Sequence, residues 1–418
     1  MKKRIKNHLL IPYVSIAFII ISLVLQPFGE FITGYIHILT SESILLTDYI
    51  VVGGEGPALF NAGSLMLLTY LIIRKLDLRV TGSIFAGILT IGGFAFFGKN
   101  LLNVSIIYLG VYLYAKYKSI DLRSVIAIFL FSTGLSPISS IVFFGLGLSY
   151  AISIPLGIFI GILSGFLLVE LSQKVITFHR GYDLYNVGFA SGIIAFVFFS
   201  VLKLFSLDYE TNLIYTNESH SLLVIIFVSL ALIYVFVGLW LNDFKLTGYK
   251  DILRQSGVAI TDFTRRKNEP MTMFNIGLTS LASLALMLLI GVKMSGPVMG
   301  GLLTIMGFAA FGKHLRNSIP PMIGVILVVY LFKLEFSVPV VLAIIFSTGL
   351  APVSGEYGII VGVLTGMLHL PVVQAISELH GGILLYSNGF AAAFTAVIIT
   401  TLITTIKKEG FTWGFMKN

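Results

Sequence analysis

The sequence predicts an all-α integral membrane protein made of two tandem copies of one repeat that are inserted in opposite orientations. Three observations support this prediction. Hydrophobic residues make up 57% of the chain and charged residues 11%, with a mean hydropathy of +0.98. Apolar runs of membrane-spanning length recur from Leu9 to Ile406, and four motifs of the first half return in the same order in the second. Since soluble domains carry roughly 25% charged residues, this chain has too few to cover a water-facing surface.

The apolar runs are continuous rather than alternating, which predicts helices instead of barrel strands. We predict about 14 transmembrane segments, seven in each copy, near 8–28, 56–73, 80–97, 101–116, 124–149, 152–171 and 184–205, then 221–241, 272–292, 296–311, 318–333, 338–354, 356–376 and 383–405. The third and fourth segments of each copy are short enough to form a re-entrant hairpin, which would change the number of crossings but not its parity. The first copy then covers residues 1–220 and the second 221–418.

The motifs repeat at nearly constant spacing. GFAFFGKNLLN at 93–103 returns as GFAAFGKHLRN at 307–317 with 8 of 11 positions identical, and FSTGLSPIS at 131–139 returns as FSTGLAPVS at 346–354 with 7 of 9 identical. Phe-Asn-x-Gly around Asn61 returns around Asn275. Both His179 and His380 are followed by the motif LYxxGFA. Four matches in one order indicate an internal duplication, which is typical of several transporter folds.

The charge of equivalent loops predicts the inversion. Loop 29–55 contains no Lys or Arg, whereas its equivalent 243–269 contains six and is the one polar stretch long enough to be a linker (243–270). Loops 74–79 and 116–123 contain three each, whereas their equivalents contain one each. Because Lys and Arg accumulate in cytoplasmic loops, the two copies must cross the membrane in opposite directions. Both termini are then cytoplasmic.

The net charge of +8 therefore reflects membrane topology and not affinity for nucleic acid. The chain has no cysteine, which excludes disulfides and thiolate metal sites. No small-residue cleavage site follows the first apolar run, so we expect a retained first span.

The repeated FSTGLxPxS motif is the first candidate for a substrate site. Gly permits unusual backbone angles, and Pro removes a helix hydrogen bond, so the motif predicts a broken helix in each copy. We expect both motifs to be non-helical and to lie close together at mid-depth. The alternative is a proline kink whose hydroxyls bond their own helix. The candidate substrate-binding residues are Ser132, Thr133, Gly134 and Ser139, with Ser347, Thr348, Gly349 and Ser354 in the second copy.

Two further pairs join this candidate site. Lys99 and Lys313 lie in the repeated GFAxFGK, where a lysine between apolar runs must reach water or a partner. They either favour an anionic substrate or extend to the membrane surface. Asn61 and Asn275 either bridge helices or coordinate a solute.

Glu356 is the candidate for ion coupling. It follows the second broken helix, where the first copy has Ile141, and an unpaired carboxylate removed from water is suited to reversible protonation. The alternative is an interfacial charge. The sequence carries no catalytic signature and no nucleotide-binding motif. We therefore predict no enzyme activity, no cofactor and no metal site.

The duplicated GFAxFGK, FSTGLxPxS and LYxxGFA motifs resemble those of an uncharacterised family of bacterial membrane proteins made of two copies of a domain of unknown function. The resemblance covers nearly the whole chain and implies a location in the bacterial inner membrane. The architecture is similar to that of inverted-repeat carriers, although the motifs differ from theirs.

Together these features favour an ion-coupled secondary transporter for a small polar or anionic solute. The expected partners are the lipid bilayer and the solute, and a homo-oligomer stays open. A passive channel is the first alternative, and a membrane scaffold or intramembrane enzyme is the second.

The inverted topology can be tested with reporter fusions. A reporter at residue 212 should be outside the cell and one at residue 258 inside, because the loops that contain them differ in basic residues. Activity of both reporters on the same side would contradict the inversion.

Overall fold

The computed structural model describes residues 10–207, 213–216, 218–258, 261–265 and 269–408. Reporter position 212 lies outside these ranges. The described residues form helices joined by short loops, and isolated bridges are the one β feature among them. The predicted all-α class is therefore confirmed.

Within the described residues, the first half contains ten α-helices. They are α1 Ile11–Ser22, α2 Phe28–Thr40, α3 Tyr49–Gly53, α4 Glu55–Lys75, α5 Gly82–Phe94, α6 Leu101–Tyr117, α7 Ile126–Phe131, α8 Ser136–Ser140, α9 Tyr150–His179 and α10 Asn186–Leu204. A 3-10 turn at Leu122–Val125 precedes α7, another at Ser132–Leu135 joins α7 to α8, and a π turn at Ile141–Gly145 follows α8.

The second half repeats most of this order. Its helices are α11 Ser221–Leu241, α12 Tyr249–Leu253, α13 Glu269–Leu289, α14 Gly296–Phe308, α15 Leu315–Leu331, α16 Val338–Phe346, α17 Ala351–Tyr357, α18 Ile359–Leu379 and α19 Ser387–Lys408. A 3-10 turn at Ser347–Leu350 joins α16 to α17, as in the first half.

In the described part of the chain, nine helical segments are long and apolar enough to cross a membrane. Five shorter apolar helices coincide with the remaining predicted segments: α1, α5, α6, α14 and α15. With 13 residues each, α5 and α14 are about 20 Å long, which is shorter than the roughly 30 Å hydrocarbon core of a bilayer. The polytopic membrane architecture is confirmed, while the number of complete crossings stays a prediction.

The longest helix that the sequence pattern did not predict is α2. Residues 28–40 form α2 inside the segment 29–55 that we expected to be a loop. Glu30, His37 and the small Gly29 and Gly34 lower the apolar character of this segment, so its pattern differs from that of a span. Gly34 lies against the backbone of Gly53, so α2 packs closely on α3.

Helices α5 and α14 form the central contact between the halves. A Cβ atom on Gly93 would lie 2.4 Å from the carbonyl oxygen of Gly300, and one on Gly300 equally close to that of Gly93. Gly82, at the start of α5, lies against Ala310, just beyond the end of α14. The two helices therefore run antiparallel and touch through their backbones, which glycine permits because it has no side chain.

The loops of the two halves also make equivalent contacts, in which a loop of each half binds a helix of the other. The Asp48 carboxylate accepts the N–H of Gly296 at 3.1 Å, and that of Asp262 accepts the N–H of Gly82 at 3.1 Å. Each aspartate thus binds the beginning of the short helix in the opposite half. Pairs of equivalent residues that bind each other's halves indicate an approximate two-fold relation between them.

Candidate functional site

A cavity of about 230 Å³ lies between the two halves. Equivalent residues from both copies line it, namely Thr90 with Thr304, Phe94 with Phe308, Phe131 with Phe346, and Tyr185 with Tyr386. Its walls contain seven phenylalanine and tyrosine side chains. Since liquid water occupies roughly 30 Å³ per molecule, the cavity has room for about seven waters or one small organic molecule.

The cavity reaches toward one end of the first half. Ser83, Ala127 and Ile176 line it there, and the side chains of Ala127 and Ile176 are exposed. Each of these three residues is four residues away in the sequence from an exposed arginine. The arginines are Arg79, Arg123 and Arg180, respectively. Arg79 is paired with Glu269 and Arg123 with Asp121, so the positive charge around this mouth is partly neutralised.

A much smaller cavity, of about 60 Å³, occupies the equivalent place in the second half. Its lining includes Leu342 and Ser377, which correspond in the repeat to Ala127 and Ile176. Leu45 and Leu46 also line it, and the N–H of Leu45 donates to the carbonyl of Gly382. The two halves thus present unequal versions of one cavity.

The repeated FSTGL segments remain helical, so the prediction of non-helical motifs was wrong in detail. Each forms one 3-10 turn between two short α-helices. The hydroxyls of Ser132 and Ser347 donate to carbonyls three residues earlier, at 2.8 and 2.7 Å. Pro137 falls in the first turn of α8, where its missing N–H breaks no hydrogen bond. A tighter helical turn therefore satisfies the backbone that we expected to be free.

These motifs support the cavity from behind. The serine and threonine hydroxyls of FSTGL bond their own helices, as the alternative interpretation held, and the cavity is lined instead by the preceding Phe131 and Phe346. Gly134 lies against the ring of Tyr386, and Gly349 against the ring of Tyr185, both closer than a Cβ atom would allow. Because glycine has no side chain, these two positions leave room for the tyrosine rings of the opposite half in the cavity wall.

Ser139 and Ser354 point away from the cavity. Each faces a glycine of the following helix, Gly161 and Gly362 respectively, and neither hydroxyl has a hydrogen-bond partner in the described chain. Their part in the structure is a close helix contact.

Asn61 and Asn275 bridge helices. The amide nitrogen of Asn61 donates to the carbonyls of Ala95 and Lys99 at 2.8 and 2.7 Å. Asn275 makes the same pair of bonds at 2.8 Å each, to the carbonyls of Ala309 and Lys313. These bonds hold the turn that follows each short helix, and that turn positions the lysine.

Lys99 and Lys313 reach the opposite half and are both 0% exposed. Lys99 Nζ donates to the hydroxyl of Tyr386 at 2.5 Å, and Lys313 Nζ donates to that of Tyr185 at 2.6 Å. Lys313 also donates to Thr348 at 2.8 Å, so one predicted hydroxyl does meet a predicted lysine. Neither lysine extends to the surface, because a tyrosine that lines the cavity binds each one.

The charge of these lysines is only partly compensated. Each Nζ lies 4.5 to 4.8 Å from the centres of two aromatic rings. Such contacts contribute about 0.5–2 kcal/mol, whereas burying an ion costs several kcal/mol. Within the described residues, neither ammonium group forms an ion pair. Burial lowers the pKa of both amines well below its usual value, so a bound anion would stabilise the positive charge of two groups directly behind the tyrosines of the cavity.

Sequence reasoning missed Asp183, the one carboxylate among the described residues that line the cavity. It is 1% exposed, and its Oδ1 accepts the N–H of Tyr185 at 2.8 Å. Burial raises the pKa of this carboxyl to about 8, although the Tyr185 N–H and the charge of Lys313 act in the opposite direction. The repeat contained a signal, because the corresponding residue of the second copy is Leu384.

Glu356 lies apart from this cavity. It is exposed near the end of α17 and is not among the cavity-lining residues. It therefore lacks the burial on which its assignment to ion coupling depended. Glu356 does lack a counterpart in the first copy. A carboxylate must also be buried, however, for desolvation to raise its pKa toward neutral pH.

Fold and cavity together define a polytopic helical membrane protein with a central chamber between two related halves. The chain belongs to the family described as "Protein of unknown function (DUF1576)", whose model matches residues 28–204 and 241–405. The two matched regions correspond to the two copies of the repeat. No curated protein and no solved structure matches the chain.

The uncompensated charge of the lysines can be tested by stability. Lys99→Met and Lys313→Met should each raise the melting temperature of the purified protein in detergent, because an apolar side chain replaces a buried ion. The expected gain is about 1–4 kcal/mol. Lys75→Met, at an exposed position of α4, is the control and should change little. A large loss of stability in the two buried variants would instead mean that the lysines are structural.

Proposed function

We propose that this chain is a secondary transporter that carries a small organic anion by alternating access through the cavity between its halves. The observation that carries the proposal is the inequality of the two equivalent cavities, about 230 Å³ on one side and about 60 Å³ on the other. In a protein with two related halves, such inequality is expected when one half is open and the other closed. Exchange of the two states would expose the cavity to the opposite side of the membrane.

The inverted arrangement on which this mechanism depends has two kinds of support. The short helices α5 and α14 run antiparallel, and Lys99 and Lys313 make exchanged contacts with equivalent tyrosines. Independently, equivalent loops have opposite content of basic residues. We therefore assign the arginine-rich mouth to the cytoplasmic side, with both termini on that side as well. The bacterial inner membrane is part of the same proposal.

The lining narrows the class of solute. Seven aromatic side chains suit an apolar body, and they are Phe94, Phe131, Tyr185, Phe308, Phe311, Phe346 and Tyr386. The two buried ammonium groups favour a negative charge close to the tyrosine hydroxyls, since charge-assisted hydrogen bonds are about twice as strong as neutral ones. A small anion with an aromatic or aliphatic body meets both requirements.

The closed side favours a carrier over a passive channel. In the wall of the chamber, Phe94 stacks on Phe346 with ring centres 5.5 Å apart and meets Tyr386 edge-on at 5.0 Å. We infer that these rings and the bound Lys99 separate the chamber from the smaller cavity, since none of them lines the latter. A channel would need a continuous wet path through this point.

Ligand binding tests the proposal directly. Benzoate and short-chain monocarboxylates should stabilise the purified protein and so raise its melting temperature. At 100 times the dissociation constant, the free energy of unfolding should rise by roughly 2.7 kcal/mol. The neutral analogue benzamide should have little effect. Thr90→Phe should abolish the benzoate shift, because the added ring fills the cavity next to Thr304.

The control is Thr401→Phe, at an exposed position of α19, which should retain the shift. An equal benzoate shift in the Thr90 variant, or no shift with any of these anions in the parent protein, would contradict an anion site in this cavity.

A further inference from the structure

Asp183 is a buried acid with one free oxygen. It lies in the loop between α9 and α10, and its Oδ2 has no hydrogen-bond partner in the described chain. The other oxygen accepts the N–H of Tyr185, the residue whose hydroxyl binds Lys313. Since buried polar atoms are nearly always paired, a free carboxylate oxygen in a cavity wall indicates a position where something binds.

The loop itself does not require this acid. In the first half the N–H of Leu184 donates to the carbonyl of Gly349 at 3.1 Å, and in the second the N–H of Leu385 donates to that of Gly134 at 3.2 Å. The two loops therefore dock in the same way although one has Asp183 where the other has Leu384. The carboxylate is thus an addition to a loop that docks without it.

The other buried aspartates differ from Asp183. Asp48 accepts N–H groups with both carboxylate oxygens, from Ile50 and Gly296, and does not line the central cavity. Asp262 accepts the N–H of Gly82 with both oxygens and the N–H of Thr264 as well. Both hold loops to short helices, whereas Asp183 keeps an oxygen free beside the chamber.

The groups around Asp183 are few. His179 accepts the N–H of Asp183 at Nδ1 over 3.4 Å, so its Nε2 carries the proton that it donates to Asn186 at 2.8 Å. That arrangement keeps the imidazole neutral. Tyr185 is engaged by Lys313, and the charge of Lys313 is the one that acts on the carboxyl group. The pKa of Asp183 is therefore governed by burial, which raises it, and by the N–H of Tyr185 and the charge of Lys313, which lower it.

We propose that Asp183 is the proton-binding site that couples anion movement to protons, an inference that rests on the proposed transport function. With Asp183 ionised, its charge offsets that of Lys313 and repels an anion in the chamber. When a proton adds to the free carboxylate oxygen, the charge of Lys313 becomes available to the anion. Starting from the ionised carboxylate, one proton and one monovalent anion then bind together, and the loaded chamber carries the same net charge as the empty chamber with ionised Asp183.

The pH dependence follows from the direction of the shift. A buried carboxyl group with a pKa of about 8 is protonated at neutral pH in the folded protein, whereas an unfolded chain ionises it near pH 4. The group therefore reduces stability progressively as the pH rises from about 4 to about 8. Asp183→Asn removes that penalty and keeps an oxygen for the N–H of Tyr185.

Infrared pH-difference spectroscopy on the purified protein tests the site without any solute. The parent should show the band of a protonated carboxyl group that disappears between about pH 7 and pH 9, and Asp183→Asn should lack it. Asp121→Asn, at an exposed loop position, should retain it. Asp48, whose pKa burial raises to about 6, should give a separate transition at lower pH.

Lys313→Met provides a second variant in case Asp183→Asn fails to fold. Loss of the neighbouring positive charge should move the transition to higher pH, and an unchanged midpoint would overturn the proposal. A parent spectrum without the band, or a band that persists in Asp183→Asn, would overturn it too. Because the measurement needs no solute, a titrating Asp183 in a protein that binds no benzoate would refute the transport function and leave the proton site intact.

Discussion

The contact between each buried lysine and a tyrosine of the opposite half is the constraint around which the rest of the structure is arranged. Lys99 and Lys313 are fully buried, and each donates to a tyrosine hydroxyl of the opposite half. The asparagine bridges fix the turns that carry the lysines, and the glycines of the 3-10 turns make room for the tyrosine rings. Most of the repeated motifs therefore serve one reciprocal interaction.

This arrangement places the lysine amines where a positive charge on them has the strongest effect on a ligand. A charge in a medium of low dielectric constant interacts far more strongly with a ligand than it would in water. The tyrosines separate the ammonium groups from the aromatic chamber and can pass on their attraction through hydrogen bonds. Such a site loses stability in its empty state, which is common where binding of a charged ligand restores the balance.

Much of the fold could be predicted from the sequence, because span length, loop charge and repeat spacing can be read directly from the residues. It also identified Lys99, Lys313, Asn61 and Asn275 as important, although only the coordinates reveal that the asparagines hold backbone turns. The hydroxyls of the FSTGL motifs were assigned to a ligand because their own helices were expected to be broken. Asp183 was not predicted as a site residue because a sequence pattern does not report burial. Burial is the property that distinguishes Asp183 from the exposed Glu356.

Alternating access is tested most directly by thiol labelling, for which the cysteine-free chain is well suited. Ala127→Cys lies at the wide mouth, and Leu342→Cys lies at the equivalent place in the narrow cavity. In membrane vesicles of known orientation, an impermeant reagent should label Ala127→Cys from the cytoplasmic side only. It should label Leu342→Cys more slowly and from the opposite side only. Labelling of both positions from the same side would contradict the account of two inverted halves that open in turn.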